Sequence, residues 1–349
     1  MRILAGVTAT PTPPFRPHPL LRSPMRSTLV GALPRAGASA FASRAERRIV
    51  PIGERTSVRV ELDRPSQRTR EAVLLLHGLA GSSESSYVVG TARKAVARGI
   101  AAARMNARGC GGTGALTKET YHGDETDDPL GVARFLVEQE GFERVHLVGF
   151  SVGGNQILAL AARLSPAPPP WLGRTVTLCP CIDFEASARE LERDAVRRAI
   201  GRVFVRRLAA VLKDRVRAGD PVDISGIDRI RSVRAFDERF TAPLSGFADA
   251  ADYYRRASMV HRLEEIRVPT WILAARDDPL VPFDAFEHLE TEAGAIRLLA
   301  SEYGGHVAFL ARAPSPGPLG PDLDRRWAEN RIVDLLRSGC GEAPPVASW

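Results

Sequence analysis

The sequence predicts an α/β protein with a mostly parallel central sheet, helices on both faces and an inserted helical cap. Three observations support this fold class. Short apolar runs alternate with helical patterns over residues 72–179, this alternation stops over 184–263, and it resumes at Thr270. Strands that alternate with helices form parallel sheets covered on both faces. An interruption in such a series is most simply an insertion over the carboxyl edge of the sheet, where open α/β sheets bind ligands.

The predicted strands differ in pattern according to their expected place in the sheet. The first two are short and β-like, which suggests an antiparallel start, whereas Ala72–Leu76 is continuously apolar, as expected for a strand buried on both faces. The predicted strands are Arg48–Ile52, Ser57–Leu62, Ala72–Leu76, Ile100–Met105, Val145–Phe150, Thr175–Cys179, Thr270–Ala275 and Ile296–Ala300. The predicted helices are Tyr87–Arg98, Pro129–Gln139, Val152–Arg163, Arg189–Arg217, Pro282–Glu292 and Leu323–Arg337.

These elements divide the chain into four predicted parts. Residues 1–45 are rich in proline and arginine and have no sustained periodicity, so we expect an extended or partly disordered arm. The α/β core is predicted over 46–183 and 264–340. The helical cap occupies 184–263, and residues 341–349 form a tail.

The charge pattern argues against a nucleic-acid-binding protein. The formal net charge of the 349-residue chain is +7, and three of its 48 basic residues are lysines (Lys94, Lys118 and Lys213), so the other 45 are arginines. The arginines are scattered along the chain rather than concentrated in one tract. This distribution indicates a solvated basic surface.

The sequence has no membrane-spanning or metal-binding pattern. No apolar run is long enough to cross a bilayer, and the prolines at 11, 13 and 14 interrupt the apolar N-terminal stretch before a signal-peptide core could form. We therefore expect a cytoplasmic protein without stable membrane insertion, cofactor or metal. The cysteines are too few for a disulfide framework and are expected to be buried thiols. They are Cys110, Cys179, Cys181 and Cys340.

The segment Gly149-Phe150-Ser151-Val152-Gly153 is the strongest catalytic signal. A catalytic serine must be held on a sharp strand-to-helix turn, and small residues two positions before and after it let strand and helix approach closely. Here the motif follows an apolar strand and precedes a helix, which is the required context. We predict Ser151 as the nucleophile.

A second turn follows the strand Ala72–Leu76 and begins His77-Gly78-Leu79. Acyl transfer builds negative charge on a carbonyl oxygen, and two fixed backbone N–H groups can stabilise it. The expected donors are the N–H groups of Val152, just after the nucleophile, and of Leu79. We expect His77 to shape this turn rather than to act as a base.

Chain order selects the base. In folds with such a serine turn the acid follows a late strand and the histidine comes after the last strand. His306 alone has that position, since it follows Ile296–Ala300, whereas His288 lies inside a predicted helix. The seven histidines are His18, His77, His122, His146, His261, His288 and His306.

The acid that should orient His306 lies in the loop after the strand Thr270–Ala275. Asp278 stands four residues before Pro282 and is the first choice. Asp277 is the alternative, and Asp183 is a third candidate. Aspartates in such loops commonly cap helices instead.

With these residues in place, the chain resembles the YheT-like branch of the α/β-hydrolase fold, which includes ABHD1/ABHD3-type proteins and yeast ethyl-ester synthases. The segment Asn106–Gly112 is similar to the branch's Asn-x-Arg-Gly-Cys turn, and Tyr121–Asp128 is similar to its Tyr-His-x-Gly-x-Thr-x-Asp segment, with Gly123 one place early. Further similar stretches lie in the cap, at Arg234–Asp237, and in the arm, at Pro14–Arg35.

The resemblance implies a serine hydrolase that cleaves carboxylic esters, with a small-molecule or lipid ester as its partner. Our primary hypothesis is hydrolysis of short- to medium-chain acyl esters through an acyl-enzyme on Ser151, although the sequence does not give the acyl or alcohol preference. Acyl transfer to alcohols and deacylation of phospholipids remain alternatives that use the same residues, and a non-catalytic binding protein is a third class. Nothing in the sequence fixes the oligomeric state.

Overall fold

An eight-stranded sheet lies at the centre of the protein in the computed structural model, which describes residues 13–33, 35, 37–290 and 294–337. A two-stranded pair, β9 (Pro316–Gly317) and β10 (Gly320–Pro321), lies outside it. The strands of the main sheet are β1 (Glu46–Pro51), β2 (Ser57–Asp63), β3 (Glu71–Leu76), β4 (Ala101–Met105), β5 (Arg144–Phe150), β6 (Leu172–Leu178), β7 (Thr270–Ala275) and β8 (Ile296–Ser301).

The order of strands across this sheet is β1-β2-β4-β3-β5-β6-β7-β8. β2 pairs antiparallel with both β1 and β4, and the five remaining pairs are parallel. The mostly parallel sheet with an antiparallel start is therefore confirmed. β3 is an inner strand, which explains its continuous apolar run over Ala72–Leu76.

Helices connect the strands and cover both faces of the sheet. The α-helices are α1 (Pro24–Gly31), α2 (Ala38–Ala42), α3 (Ser86–Ala97), α4 (Asp127–Glu138), α5 (Val152–Leu164), α6 (Phe184–Glu192), α7 (Ala195–Arg217), α8 (Val233–Phe236), α9 (Ala242–Leu244), α10 (Ala250–Ala257) and α11 (Trp327–Arg337). A π-helical turn spans Asp237–Thr241, and 3-10 helices span Pro19–Leu21, Gly114–Leu116, Ile227–Arg229, Met259–His261, Leu263–Glu265 and Phe283–Glu290.

Two buried clusters separate the two faces. One cluster joins α4 and α5 to the sheet, and includes Leu136 and Leu158. The other joins α3 and α11 to the opposite face, and includes Val88 and Ile332. Because the inner strands bury side chains on both faces, the sheet is a rigid platform for the loops at its carboxyl edge.

The loops at this edge carry the predicted site. Leu79 follows β3, Ser151 follows β5, Asp278 follows β7 and His306 follows β8. The helices α6 to α10 all lie in the connection from β6 to β7, where the sequence predicts the cap. The division into a core (46–183 and 264–340) and a cap (184–263) stays a prediction.

Three predicted helices differ from the structure. The long helix predicted over Arg189–Arg217 is two helices, because Asp194 caps α7 by accepting a hydrogen bond from the N–H of Arg197 at 2.9 Å. The helix predicted over Pro282–Glu292 is the 3-10 helix Phe283–Glu290. The last helix begins at Trp327 rather than at Leu323.

The described part of the predicted N-terminal arm also differs from an extended or partly disordered segment. Pro24 occupies the first turn of α1, where its fixed φ favours a helix. Ser27, Thr28 and Gly31 are buried against the core, so tertiary contacts rather than periodicity stabilise this short helix. Residues 1–12 and the predicted tail 341–349 lie outside the described residues.

Candidate active site

Ser151 occupies a strained turn between β5 and α5. Its φ of 53° and ψ of −121° lie outside the regions that non-glycine residues favour. A Cβ at Gly149 would lie 2.4 Å from the carbonyl oxygen of Gly153, and a Cβ at Gly153 would lie 2.2 Å from that of His77. The two flanking glycines are therefore required by the close approach of strand, helix and neighbouring turn.

The side chains of Ser151, His306 and Asp278 form one continuous chain of hydrogen bonds. The distance from Ser151 Oγ to His306 Nε2 is 2.9 Å, and that from His306 Nδ1 to Asp278 Oδ2 is 2.8 Å. All three residues are partly buried at the carboxyl edge of the sheet. In this arrangement the imidazole can accept the serine proton on one nitrogen while the carboxylate fixes its orientation from the other.

The three aspartates that the sequence offers as the acid have different hydrogen-bond partners in the structure. The second oxygen of Asp278 accepts hydrogen bonds from the N–H groups of Leu280 and Val281, at 2.9 and 3.0 Å. Asp277 accepts a hydrogen bond from the backbone N–H of Gly305 at 2.9 Å, and its burial raises its pKa to about 6. Asp183 caps α6. Asp278 alone of these three contacts the imidazole of His306.

The family model described as "alpha/beta hydrolase fold" matches residues 71–313, which include all of the loops just described. The chain belongs to this family. Its sequence is 30% identical over 282 residues to "Putative esterase YheT" of Escherichia coli (strain K12), covering 78% of the chain and 79% of that protein.

Two further comparisons agree with this placement. "Phospholipase ABHD3" of Mus musculus is 29% identical over 245 residues, which are 69% of this chain and 59% of that protein, so the chain spans about three fifths of it. A solved structure of a 2,6-dihydroxy-pseudo-oxynicotine hydrolase superposes with a TM-score of 0.57 at 20% identity, covering 89% of this chain and 74% of that one. The predicted hydrolase fold, YheT-like branch and hydrolase class are confirmed.

The predicted oxyanion-binding turn of this hydrolase lies beside Ser151. Val152 is the first residue of α5, so its N–H has no partner within the helix. Gly78, which precedes the second expected donor Leu79, donates its own N–H to the hydroxyl of Tyr87 at 3.0 Å. A Cβ on Gly78 would lie 3.0 Å from that of Ser151, so the turn packs directly against the serine.

His77 braces this turn and is not placed to act as a base. Its Nδ1 lies 2.7 Å from the carbonyl oxygen of Gly78, and its Nε2 accepts from the N–H of Ala107 at 3.1 Å. These partners fix the tautomer, since Nδ1 must carry the proton and Nε2 must not. The ring is fully buried, and burial lowers its pKa from 6.5 to about 4.

Acidification should therefore destabilise the hydrolase through His77. Above pH 6.5 the ring is neutral in the folded and unfolded chains. As the pH is lowered from 6.5 to 4, only the unfolded chain takes up a proton at this ring. The free energy of unfolding therefore decreases as the pH decreases, by about 3 kcal/mol over this range. We expect histidine nitrogen chemical shifts in NMR spectra to report a neutral Nδ1–H ring at pH 5.5. A ring that titrates near pH 6.5 in the folded protein would contradict this.

A small pocket adjoins the serine turn. Its volume is about 60 Å³, and Leu79 and Val152 both line it. Most of the other lining residues are apolar or aromatic side chains of α6, α7, α8 and α10, including Leu208. The polar lining residues are Ser187, Thr241 and Asp237. The carboxylate of Asp237 accepts hydrogen bonds from the hydroxyls of Thr241 and Tyr254 at 2.7 and 2.8 Å, and its burial raises its pKa to about 6.

The two motifs that resemble the YheT-like branch meet in a buried ion-pair network. Arg108 contacts both oxygens of Asp128, at 2.9 and 2.5 Å, and lies 2.9 Å from a carboxylate oxygen of Glu125. Burial lowers the pKa of His122 to about 4, and its ring packs edge-on against Phe247. None of these groups contacts the Ser151–His306 pair, so their contacts tie the turn after β4 to α4.

One group of described side chains could bring three metal-ligand atoms together. Cys179, Asp278 and His306 place theirs within 4.8 Å of one another. Burial raises the pKa of the Cys179 thiol well above its usual value, so the thiolate that metals require is disfavoured. The other two groups already bond each other. The absence of a cofactor and of a metal stays a prediction.

The predictions on cysteines and on membrane-spanning helices can be checked for the residues that the structure describes. Cys110, Cys179 and Cys181 are buried free thiols, as expected, and Cys340 lies outside the described residues. Among the residues that the structure describes, no helix is both long and apolar enough to cross a bilayer. The cytoplasmic location stays a prediction.

Sequence reasoning missed three neighbours of the site. Tyr87 supports the oxyanion turn, Cys179 packs beneath the His306 loop, and Thr28 of α1 contacts the backbone of His306. The serine motif has a spacing that can be read locally, whereas these residues approach from other parts of the chain. No signal in the sequence alone marks them.

Proposed function

We propose that this protein is a serine esterase that uses Ser151, His306 and Asp278 as its catalytic triad. The observation that carries this proposal is the uninterrupted chain of hydrogen bonds from Ser151 Oγ through His306 to Asp278, at 2.9 and 2.8 Å. The serine esterase reading is also supported by relatives described as an esterase and a phospholipase.

The reaction follows from the positions of these groups. Ser151 Oγ attacks the ester carbonyl carbon while His306 Nε2 takes its proton, and Asp278 stabilises the imidazolium that forms. The N–H groups of Leu79 and Val152 bind the oxyanion. His306 then protonates the departing alcohol. Water attacks the acyl-enzyme with His306 again as base, which releases the acid and restores Ser151.

We propose short- to medium-chain acyl esters as substrates. A volume of about 60 Å³ is small beside the roughly 300–1,000 Å³ of pockets that hold drug-sized ligands, so a long chain would require the surrounding helices to move. Because most of the side chains that line the pocket are apolar or aromatic, the pocket favours the alkyl chain of an acyl group. Helix α6 supplies several of the lining side chains, and Leu208 is the side chain of α7 that lines the pocket.

An ester series tests this proposal. Among p-nitrophenyl esters of 2 to 12 acyl carbons, kcat/KM should peak at 8 carbons or fewer. Leu208→Ala enlarges the pocket and should raise kcat/KM for the longest ester relative to the shortest by about tenfold or more. Leu212→Ala removes the same atoms from a buried position of α7 outside the pocket and serves as the control. Equal chain-length profiles for the two variants would refute the assigned acyl pocket.

Deacylation of a phospholipid at an anionic surface is a second candidate. It is favoured by the exposed face of α7, where Val196 and Val203 are 52% and 40% exposed. Exposed arginines flank these valines, and none of them forms an ion pair with a described residue. They are Arg198, Arg202, Arg206 and Arg207.

The same assay separates the two candidates and the transfer alternative. Octanoyl chains are presented either as the p-nitrophenyl ester or as a phosphatidylglycerol in vesicles. Faster release from the vesicles would favour the second candidate. Formation of ethyl octanoate when ethanol is added would favour acyl transfer, and no turnover by a folded protein would favour a non-catalytic binder.

A further inference from the structure

The N-terminal helix α1 is in direct contact with the loop that carries His306. Thr28 Oγ1 accepts a hydrogen bond from the backbone N–H of His306 at 2.8 Å and donates its proton to the carbonyl oxygen of Pro24, also at 2.8 Å. A threonine hydroxyl has one proton, so the bond to Pro24 leaves an oxygen lone pair directed at His306. Thr28 is buried, which protects both bonds from water.

One glycine in the His306 loop and one in α1 let the loop and the helix approach closely. A Cβ at Gly305, which has φ +59°, would lie 2.2 Å from Ser27 Oγ, and a Cβ at Gly31 would lie 2.6 Å from that of Ala308. Neither position has room for a side chain. Because helix and loop are in contact over several residues, a shift of α1 would shift the backbone of His306.

The arm is itself fixed to the core. Ser86 Oγ and Arg326 Nη1 both donate to the carbonyl oxygen of Gly31, at 3.2 and 3.0 Å. Just beyond α1, Arg35 forms an ion pair with the buried carboxylate of Glu329, which also binds Lys94 at 2.8 Å. The end of α1 is thus tied to both α3 and α11, and this anchoring lets Thr28 impose a position on its partner.

Three successive amides of the His306 loop have three different partners. The N–H of Gly305 donates to Asp277 at 2.9 Å, that of His306 to Thr28, and that of Val307 to the sulfur of Cys179 at 3.5 Å. Sulfur is a weak acceptor, so the bond from Val307 to Cys179 is weak. Asp277 binds the N–H of Gly305 and not that of His306. The contact from Thr28 is therefore the one that acts on the backbone of His306 itself.

We propose that Thr28 is a positioning residue, which holds the backbone of His306 so that Nε2 reaches Ser151 while Nδ1 reaches Asp278. The inference rests on the proposed esterase function. A misplacement of a catalytic group by about 1 Å can cost on the order of 100-fold in rate, so the loss of this contact should lower kcat. The segment predicted as a loose arm thereby becomes part of the support of the active site.

Thr28→Val tests the inference, because valine has the shape of threonine but cannot accept a hydrogen bond. We expect kcat per active site to fall by about 10- to 100-fold with KM nearly unchanged. The rate of labelling by a fluorophosphonate should fall in proportion. Thr28→Ser keeps the hydroxyl and should recover kcat to within about threefold. Sites are counted by the final extent of labelling, so a partly unfolded sample does not imitate the effect.

Thr113→Val is the matched control. Thr113 is also a buried threonine whose hydroxyl donates to a nearby backbone carbonyl, that of Cys110 at 2.7 Å. The Thr113→Val variant should leave kcat per site unchanged. Wild-type kcat per site in Thr28→Val, or an equal loss in Thr28→Ser, would overturn the inference. If Thr28→Val is fully active while Ser151→Ala is inactive, only the role of Thr28 fails. If Ser151→Ala remains active, the esterase mechanism itself fails.

Discussion

Replacing Ser151 by alanine should lower kcat for a p-nitrophenyl ester by about 10⁶-fold. Without Oγ no acyl-enzyme can form. The imidazole of His306 then has no hydroxyl to deprotonate, and no serine attack remains for the predicted oxyanion donors to assist. What remains is the modest acceleration of water attack by binding and by the oxyanion donors. Hydrolysis of p-nitrophenyl butyrate, followed by absorbance at saturating substrate, measures the change.

The control for this variant is Ser165→Ala. Ser165 lies at the opposite end of the same helix α5 and donates its hydroxyl to the carbonyl of Ala161 at 2.7 Å, far from the site. Its loss should leave kcat per folded molecule unchanged. Measurable turnover in Ser151→Ala within tenfold of the wild type would mean that another nucleophile does the chemistry.

The second large effect is expected at Asp278. Asp278→Asn keeps the size of the side chain but presents an amide to His306 Nδ1, which favours the wrong tautomer of the imidazole. We expect kcat to fall by about 10⁴-fold. The measurement is kcat for p-nitrophenyl butyrate at saturating substrate.

Asp277→Asn provides the comparison within the same loop. Its oxygen accepts from the N–H of Gly305 and asparagine can still accept that bond, so the expected loss is less than about tenfold. Losses of similar size at Asp277 and Asp278 would contradict the assignment of one acid. A larger loss at Asp277 would reverse it.

The serine turn and its sheet could be predicted because their signals are local. Strand β3 is continuously apolar, and Gly149 and Gly153 stand at the spacing that the turn requires, since each would clash if it carried a Cβ. The positions of the other candidate residues follow from the topology. Because the carboxyl ends of parallel strands lie at one edge of the sheet, residues that follow β5, β7 and β8 meet there. His306 could therefore be predicted as the base without any information on side-chain contacts.

Local reasoning ranked Asp278 above Asp277 but could not exclude Asp277. Adjacent carboxylates in one loop have the same composition and nearly the same position in the chain, and only the fold of the loop separates them. The N–H groups of Leu280 and Val281 bind one oxygen of Asp278 and leave the other directed at His306. The spacing to Pro282 favoured the same residue.

Elements stabilised by tertiary contacts were the least predictable. Helix α1 has eight residues and too few turns to be stable alone, so its burial against the His306 loop is what maintains it. The 3-10 helix Phe283–Glu290 has a sequence that an α-helix would also accept. By contrast, the break before α7 had a readable signal, because Asp194 is a favoured N-cap residue.

The central claim is that the hydroxyl at position 151 is the group activated by His306. The most direct measurement is peptide mass spectrometry after treatment of the folded protein with a fluorophosphonate. The account predicts one covalent adduct, on Ser151, formed with wild type and absent from Ser151→Ala. An adduct on a different residue, or a folded and active enzyme that the reagent leaves unmodified, would contradict it.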